Sequence, residues 1–282
     1  MGLFSRKKKT VTMEETVATT TTTSTTTTTA TTDVKTEESF AQVAPKNIGK
    51  LDMVIAFDTT GSMAQYIDAV RKEVSDLIPQ LFKDNEDLRL GIVAFGDYCD
   101  MNNSQDFGSA YQCIAPTDNE NELIKFVLNS KDTSGGDGPE FYELVIKKIV
   151  EETKWREEST RSILLIADAV PHEVGYSYDN IVNNAQIDWR VEARKATDKK
   201  IKIDTVTITE APWFREVSAL TNGVSVPFHT GYKTAELLRA SVMSRGSMNA
   251  RLHFDKLMEE CNDNEMKEVF ASYKKERDSF DS

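Results

Sequence analysis

The chain has 282 residues, of which 39% are hydrophobic and 28% charged, a composition that builds a globular core rather than a fibrous or fully disordered chain. Its 46 acidic and 34 basic residues leave a net charge of −12, which argues against a general nucleic-acid binder. No apolar run approaches the roughly 20 residues of a membrane span, and three dispersed cysteines (Cys99, Cys113, Cys261) make neither a disulfide framework nor a zinc set. Such cysteine usage fits a reducing compartment, so a cytoplasmic protein is expected.

Residues 1–46 read as a leader and linker outside the fold. Met1-Gly2-Leu3-Phe4-Ser5-Arg6 is close to an N-myristoylation pattern, but its hydroxyl falls one position early, at Ser5. With Lys7, Lys8 and Lys9 it makes a solvated basic leader, with weak contact to an anionic membrane surface as the alternative. Residues 17–32 are almost wholly threonine and lack the apolar periodicity a core needs, so a disordered linker is expected.

From residue 47 onward strands and helices alternate. Residues 51–57 are an apolar strand, and 64–83 carry Ile67, Val70, Val74, Leu77, Ile78 and Leu81 at helical spacing. A second strand covers 88–95, and 111–115 reads as an edge strand antiparallel to it. A capped helix runs to Asn129 with Leu123, Ile124, Val127 and Leu128 inward. After a glycine-rich loop, Pro139 is placed to open a helix reaching about Trp155. A continuous apolar strand at 162–167 follows, then a long helix at 178–199, a strand at 201–208, a short helix at 214–220 and a last strand at 225–228. The pattern predicts an α/β fold: a doubly wound, mostly parallel sheet with one antiparallel edge strand and helices on both faces. The domain is expected to span 47–240. Residues 241–282 are a helical extension, part of a tail in which one helix is interruptible at Gly246 and a second follows the turn Asn262-Asp263-Asn264.

The turn after the first strand, Asp58-Thr59-Thr60-Gly61-Ser62-Met63, places an acid and two hydroxyls at alternate positions. Oxygen donors of this kind suit Mg²⁺ or a relative (Mn²⁺, Ca²⁺) better than zinc, although the same residues are ordinary turn and cap formers. Asp97, the loop 133–138 and Asp168 also fall beyond strand ends or in connecting loops, where ligands gather in parallel sheets.

Three separated segments carry a resemblance. Asp58-Thr59-Thr60-Gly61-Ser62-Met63 resembles the D-x-[ST]-x-S motif of von Willebrand factor type A (vWA) domains. Thr133-Ser134-Gly135-Gly136-Asp137-Gly138-Pro139-Glu140 resembles the T-G-G-G-D-x-P-E loop of the hemicentin-like and alpha-kinase-associated branch, with Ser134 in place of a glycine. Ile166-Ala167-Asp168-Ala169-Val170-Pro171-His172 resembles that branch's strand-end D-A-x-P-H. The resemblance implies a metal-ion-dependent adhesion site (MIDAS). In it Thr60, Ser62 and Thr133 would offer hydroxyls, while Asp58 and Asp168 would hold charge close by. It also implies a non-enzymatic role, in which a partner protein's Asp or Glu carboxylate completes the ion's coordination.

Neighbouring residues read less specifically. Asp97 and Asp100 supply either nearby charge or a solvated loop. Asp137 and Glu140 sit beside the site, with a helix N-terminus as the alternative for Glu140; His172 reads as a capping or packing residue, with the metal rim as the alternative, and His229 and His253 as structural or surface residues. Trp155, Trp189 and Trp213 do not interleave with a basic stripe. Two other function classes stay open: a Mg²⁺-dependent phosphatase-like hydrolase with Asp58 as nucleophile, and an assembly protein that needs no metal. The first lacks the second aspartate of its turn, where Thr60 stands. No P-loop and no kinase motif set is present in these residues.

Overall fold

A computed structural model describes residues 49–228 and 232–281. The expected leader and linker, and His229, lie outside these residues.

The central strand, β1 (Lys50–Asp58), is buried from Leu51 to its end. Its side chains alternate between two cores, as the period of two requires. Leu51, Met53, Ile55 and Phe57 enter one, with Leu77, Ile78 and Leu81; Val54 and Ala56 enter the other. A 3-10 turn at Gly61–Gln65 delays the following helix, α1, which runs over Ile67–Asp84 rather than from residue 64. Then come β2 (Asp87–Phe95), β3 (Tyr111–Thr117) and α2 (Glu120–Asn129). Asn119 caps α2, accepting the Glu122 N–H at 3.2 Å. Leu123 and Val127 of α2 are buried, but Leu128, expected inward, is 57% exposed.

The glycine-rich loop leads into β4 (Pro139–Glu140), a two-residue strand, and only then into α3 (Tyr142–Glu152). The expected helix start at Pro139 is therefore wrong. Pro139 and Glu140 are extended because they pair with β6 (Val170–Pro171), which follows β5 (Thr160–Ala167). The helix expected over 178–199 shrinks to α4 (Trp189–Asp198). Asp179 and Asn184 adopt left-handed backbone conformations, and Ala185 N–H donates to Tyr176 O at 2.8 Å, so the segment before Asp188 folds back on itself. The chain continues through β7 (Ile201–Thr207), α5 (Pro212–Leu220) and β8 (Ser225–Pro227).

Sheet order is β3-β2-β1-β5-β7-β8, parallel throughout except for the antiparallel β2–β3 pair at one edge. Early strands build outward from β1 on one side and later strands on the other, so the order reverses between β1 and β5. In an open sheet the crevice beyond the carboxyl ends at that reversal is where ligands bind. Asp58 and Asp168 stand at those two ends.

Three helices close the chain: α6 (Tyr232–Arg245), α7 (Met248–Glu260) and α8 (Asn264–Asp281). The break between α6 and α7 falls at Gly246, and Ser247 caps α7 by accepting the Ala250 N–H at 3.3 Å. Met243, Phe254, Met266, Phe270 and Tyr273 pack into the core that also holds β1 and α1. Arg245, buried, forks onto both carboxylate oxygens of Asp204 in β7 and pairs with Glu276 of α8 at 3.0 Å.

Candidate metal centre

Asp58 ends β1 with no exposed surface. Its Oδ1 accepts the Thr60 N–H at 2.8 Å and the Thr60 hydroxyl at 2.7 Å. Its Oδ2 accepts the hydroxyl of Tyr142, the first residue of α3. The Tyr142 oxygen in turn accepts the Ala169 N–H at 3.1 Å, tying the ends of β1 and β5 together. Ser62 Oγ, on the exposed side of the turn, lies 3.2 Å from Thr60 Oγ1, and Ser62 and Asp168 line the same cleft. Asp168 Oδ1 is buried and finds no protein donor among the described residues.

Each hydroxyl has one proton. Thr60 gives its proton to Asp58, and its oxygen faces that of Ser62 across 3.2 Å, each keeping lone pairs that a cation could use. Adjacent ligands on an octahedral Mg²⁺ stand about 3 Å apart, √2 times a bond of roughly 2.0–2.1 Å. The pair is thus spaced for one hard cation, with two carboxylates behind it.

The glycine-rich loop forms the facing wall. Gly61 N–H donates to Ser134 O and Thr133 N–H to Thr59 O, both at 2.9 Å. Asp100 clamps the loop by accepting the N–H groups of Ser134 (2.7 Å) and Gly135 (3.2 Å), and also that of Asp97 (3.1 Å). Gly135 has φ +67°, and a Cβ there would come within 2.7 Å of Glu140 Oε1 and 3.2 Å of Thr60 Cβ. Glu140 is buried, lies beside Thr60 against Gly135, and leaves Oε2 without a partner among the described residues.

Of the expected residues, Asp58, Thr60, Ser62 and Asp168 therefore form one connected set. Thr133 Oγ1 lies 3.0 Å from Thr59 Oγ1 and against Gly96. Glu140, read from sequence as lying beside the site or as a helix-terminus acid, lies beside Thr60. Its burial follows from the β4–β6 pairing, which no periodicity announces. Tyr142 escaped the sequence reading, and Asp100, read there as nearby charge or solvated loop, is the clamp of the glycine loop. Both hold the site through long-range hydrogen bonds, which leave no local pattern.

The electrostatics are lopsided. Burial pushes the Asp58 carboxyl up to about 7, against hydrogen bonds from Tyr142 and Thr60 and with help from nearby Asp168. Burial, then the charges of Asp58, Asp97 and Asp100, push Glu140 up to about 10. Asp168 is raised by burial despite the bond from Ser62. The open cleft outside, about 490 Å³, has no lysine or arginine among its described lining residues. Buried acids without a counter-charge are unfavourable unless a cation reaches them. The oxygen donors, their spacing and the orphaned carboxylate oxygens fit a divalent ion of the Mg²⁺ class.

A family model, von Willebrand factor type A domain, matches residues 52–228. The chain belongs to the vWA family. Its mostly parallel sheet with one antiparallel edge pair is consistent with a vWA fold, and vWA domains are generally protein-interaction modules, often metal-dependent. The vWA chain is 27% identical over 196 residues to alpha-protein kinase vwkA of Dictyostelium discoideum, covering 62% of this chain and 30% of that protein. It is 24% identical over 134 residues to an ariadne-like RING finger protein of Acanthamoeba polyphaga mimivirus, covering 48% of this chain and 12% of that one. The vWA chain thus spans less than a third of either relative. No helix among its described residues is long and apolar enough to cross a membrane.

Proposed function

We propose that this vWA domain is a non-enzymatic, cation-dependent protein-binding module whose MIDAS-type site joins it to an Asp or Glu carboxylate of a partner protein. In this reading Thr60 and Ser62 ligate Mg²⁺ (or Mn²⁺ or Ca²⁺) directly, and Asp58, Asp168 and Glu140 hold negative charge around it. Thr133 acts at longer range, through Thr59 and the loop it anchors. A bound cation supplies an electrophilic point at which a partner's oxygen can replace water. The chain's own residues orient that point. Asp58 holds the Thr60 hydroxyl proton back from the cleft, Asp168 adds charge beside it, Tyr142 fixes Asp58, and the Asp100 clamp holds the glycine loop in place. The acidic surroundings also keep a carboxylate partner away until the cation is present. Its three cysteines are free thiols, in keeping with a cytoplasmic setting.

The observation that carries this reading is the Thr60–Ser62 oxygen pair, 3.2 Å apart, backed by Asp58 and Asp168. The hydrolase alternative is disfavoured by Asp58 itself, whose two oxygens both accept hydrogen bonds in the core, leaving no open face for in-line attack.

Calorimetric titration with Mg²⁺ and Mn²⁺ tests the site: wild type binds one ion and Ser62→Ala, an exposed change, loses it. Equal binding by both would refute the assignment. Partner capture from a lysate that survives EDTA would favour the metal-independent assembly module instead.

A further inference from the structure

A second group of ligating side chains lies at the end of β2. Asp97 follows the Phe95-Gly96 exit of that strand, and His172 follows β6. The His172 Nε2 stands 2.8 Å from Asp97 Oδ1, and both side chains are essentially without solvent exposure. Asp137, exposed on the glycine loop, accepts the Tyr176 hydroxyl at 3.1 Å. One ligand atom from each of Asp97, Asp137 and His172 lies within 4.8 Å of the others. The His172 ring is fixed by stacking on Tyr176, with centroids 3.6 Å apart. Its backbone N–H donates to Glu140 O at 3.3 Å and to Glu143 Oε2 at 3.2 Å.

What lifts this group above an acidic cluster is the second oxygen of Asp97. Oδ2 is buried and has no partner among the described residues. No lysine or arginine among those residues pairs with Asp97; its ionic neighbour is the imidazole. Asp97 is wholly buried, with one oxygen on the imidazole nitrogen and the other free, and one of its oxygens lies within 4.8 Å of a second carboxylate: half a coordination sphere. We propose that Asp97, His172 and Asp137 bind a second cation, a borderline first-row ion such as Zn²⁺, separate from the hard-ion site at Thr60 and Ser62.

The donor set decides the metal class. The first site offers oxygens alone, which suit Mg²⁺. Here one donor is an aromatic nitrogen, and imidazole with carboxylates suits Zn²⁺ and its neighbours in the first transition row. Two ligands come from buried, held positions and the third from an exposed loop, which gives the ion an entry path. Binding there would tie the glycine loop, through Asp137, to β2 and to the turn after β6.

The test is calorimetric titration of the full chain with Zn²⁺ in excess Mg²⁺, so that the first site is occupied. One Zn²⁺ per chain is expected. Asp137→Asn, on an exposed side chain, and His172→Gln should each weaken it at least about tenfold, while Ser62→Ala should leave it unchanged. The proposal is overturned if wild type takes up no Zn²⁺, or if Asp137→Asn binds as tightly as wild type. It is equally overturned if Ser62→Ala abolishes Zn²⁺ binding, or if replacing exposed Cys113 with serine does. Mg²⁺ titration of the same variants reports on the first site alone, so the two readings fail separately.

Discussion

Replacing Asp58 by asparagine should change how stability depends on pH, and the size of the change follows from the site. In the folded, cation-free protein the Asp58 carboxyl titrates near about 7 instead of its ordinary 3.8, chiefly because it is buried. Between those values the native state keeps a proton that the unfolded chain has released. Stability conferred by this group is therefore fully present below about pH 4 and is lost as pH rises through 7. A shift of about three units corresponds to roughly 4 kcal/mol, of which some 2–3 kcal/mol is lost between about pH 5 and pH 8. An asparagine side chain at this position is isosteric, can accept the same two bonds from Thr60, and does not titrate. In EDTA, wild type should lose about 5–10 °C more in Tm than Asp58→Asn over that pH range, at the ~2–4 °C per kcal/mol usual for a domain of this size. Glu140 contributes a slope of the same sign but is present in both proteins, so it largely cancels in the comparison. Adding Mg²⁺ at pH 8 should restore wild type and not the variant. Thermal melts across the pH series read this directly; parallel curves for the two proteins in EDTA would refute the reasoning.

Gly135→Ala combines a left-handed φ of +67° with a Cβ 2.7 Å from Glu140 Oε1. Melting and calorimetry should show a loss of ~1–3 kcal/mol and weakened Mg²⁺ binding, and unchanged affinity would mean the loop wall does not shape the site. Arg245→Leu strips the buried Asp204 of its guanidinium, so urea unfolding should show a loss of ~3–5 kcal/mol, partly recovered by adding Asp204→Asn; no recovery would point to lost packing rather than a stranded charge.

Much of this architecture was legible because it is periodic. The runs in β1, β2, β5 and β7 are apolar on both faces, which only a sheet covered on both sides requires, and helical spacing in α1 and α2 supplied the covers. The antiparallel β3 and the Gly246 break were legible too. Periodicity failed where single long-range contacts decide the backbone. Pro139 is a good first helical residue in isolation, yet pairing of Pro139–Glu140 with Val170–Pro171 holds it extended. Residues 178–188 have apolar positions at helical spacing, but the left-handed Asp179 and Asn184 turn the chain back. In the site, Asp58, Thr60 and Ser62 are neighbours in sequence and could be read as a group. Their union with Asp168 was approachable through strand-end logic. Glu140 could be placed beside the site from its loop, but not its burial, which depends on the short β4–β6 pair.

The strongest physical argument that these acids await a cation comes from the other end of the same strand. β1 carries two aspartates without exposed surface, Asp52 near its start and Asp58 at its end. Burial pushes both carboxyls up. At Asp52 that push is overcome by Arg89, bonded at 3.0 and 2.7 Å, and by Arg156, whose backbone and Nε donate at 2.6 and 2.8 Å, so its carboxyl ends below the ordinary value. At Asp58 the donors are two hydroxyls and one amide, all neutral, and the nearest charges are acids. The fold can therefore supply internal cations to a buried aspartate on this strand, and does so near its other end. At the carboxyl end it places Asp168 and Glu140 beside Asp58 and no basic residue in the described lining of the cleft, an arrangement that is destabilising unless positive charge arrives from solvent. If the protein is purified with EDTA and neither Mg²⁺ nor Mn²⁺ raises its Tm at pH 8, this contrast between the two ends of β1 has no functional meaning and the proposed site falls with it.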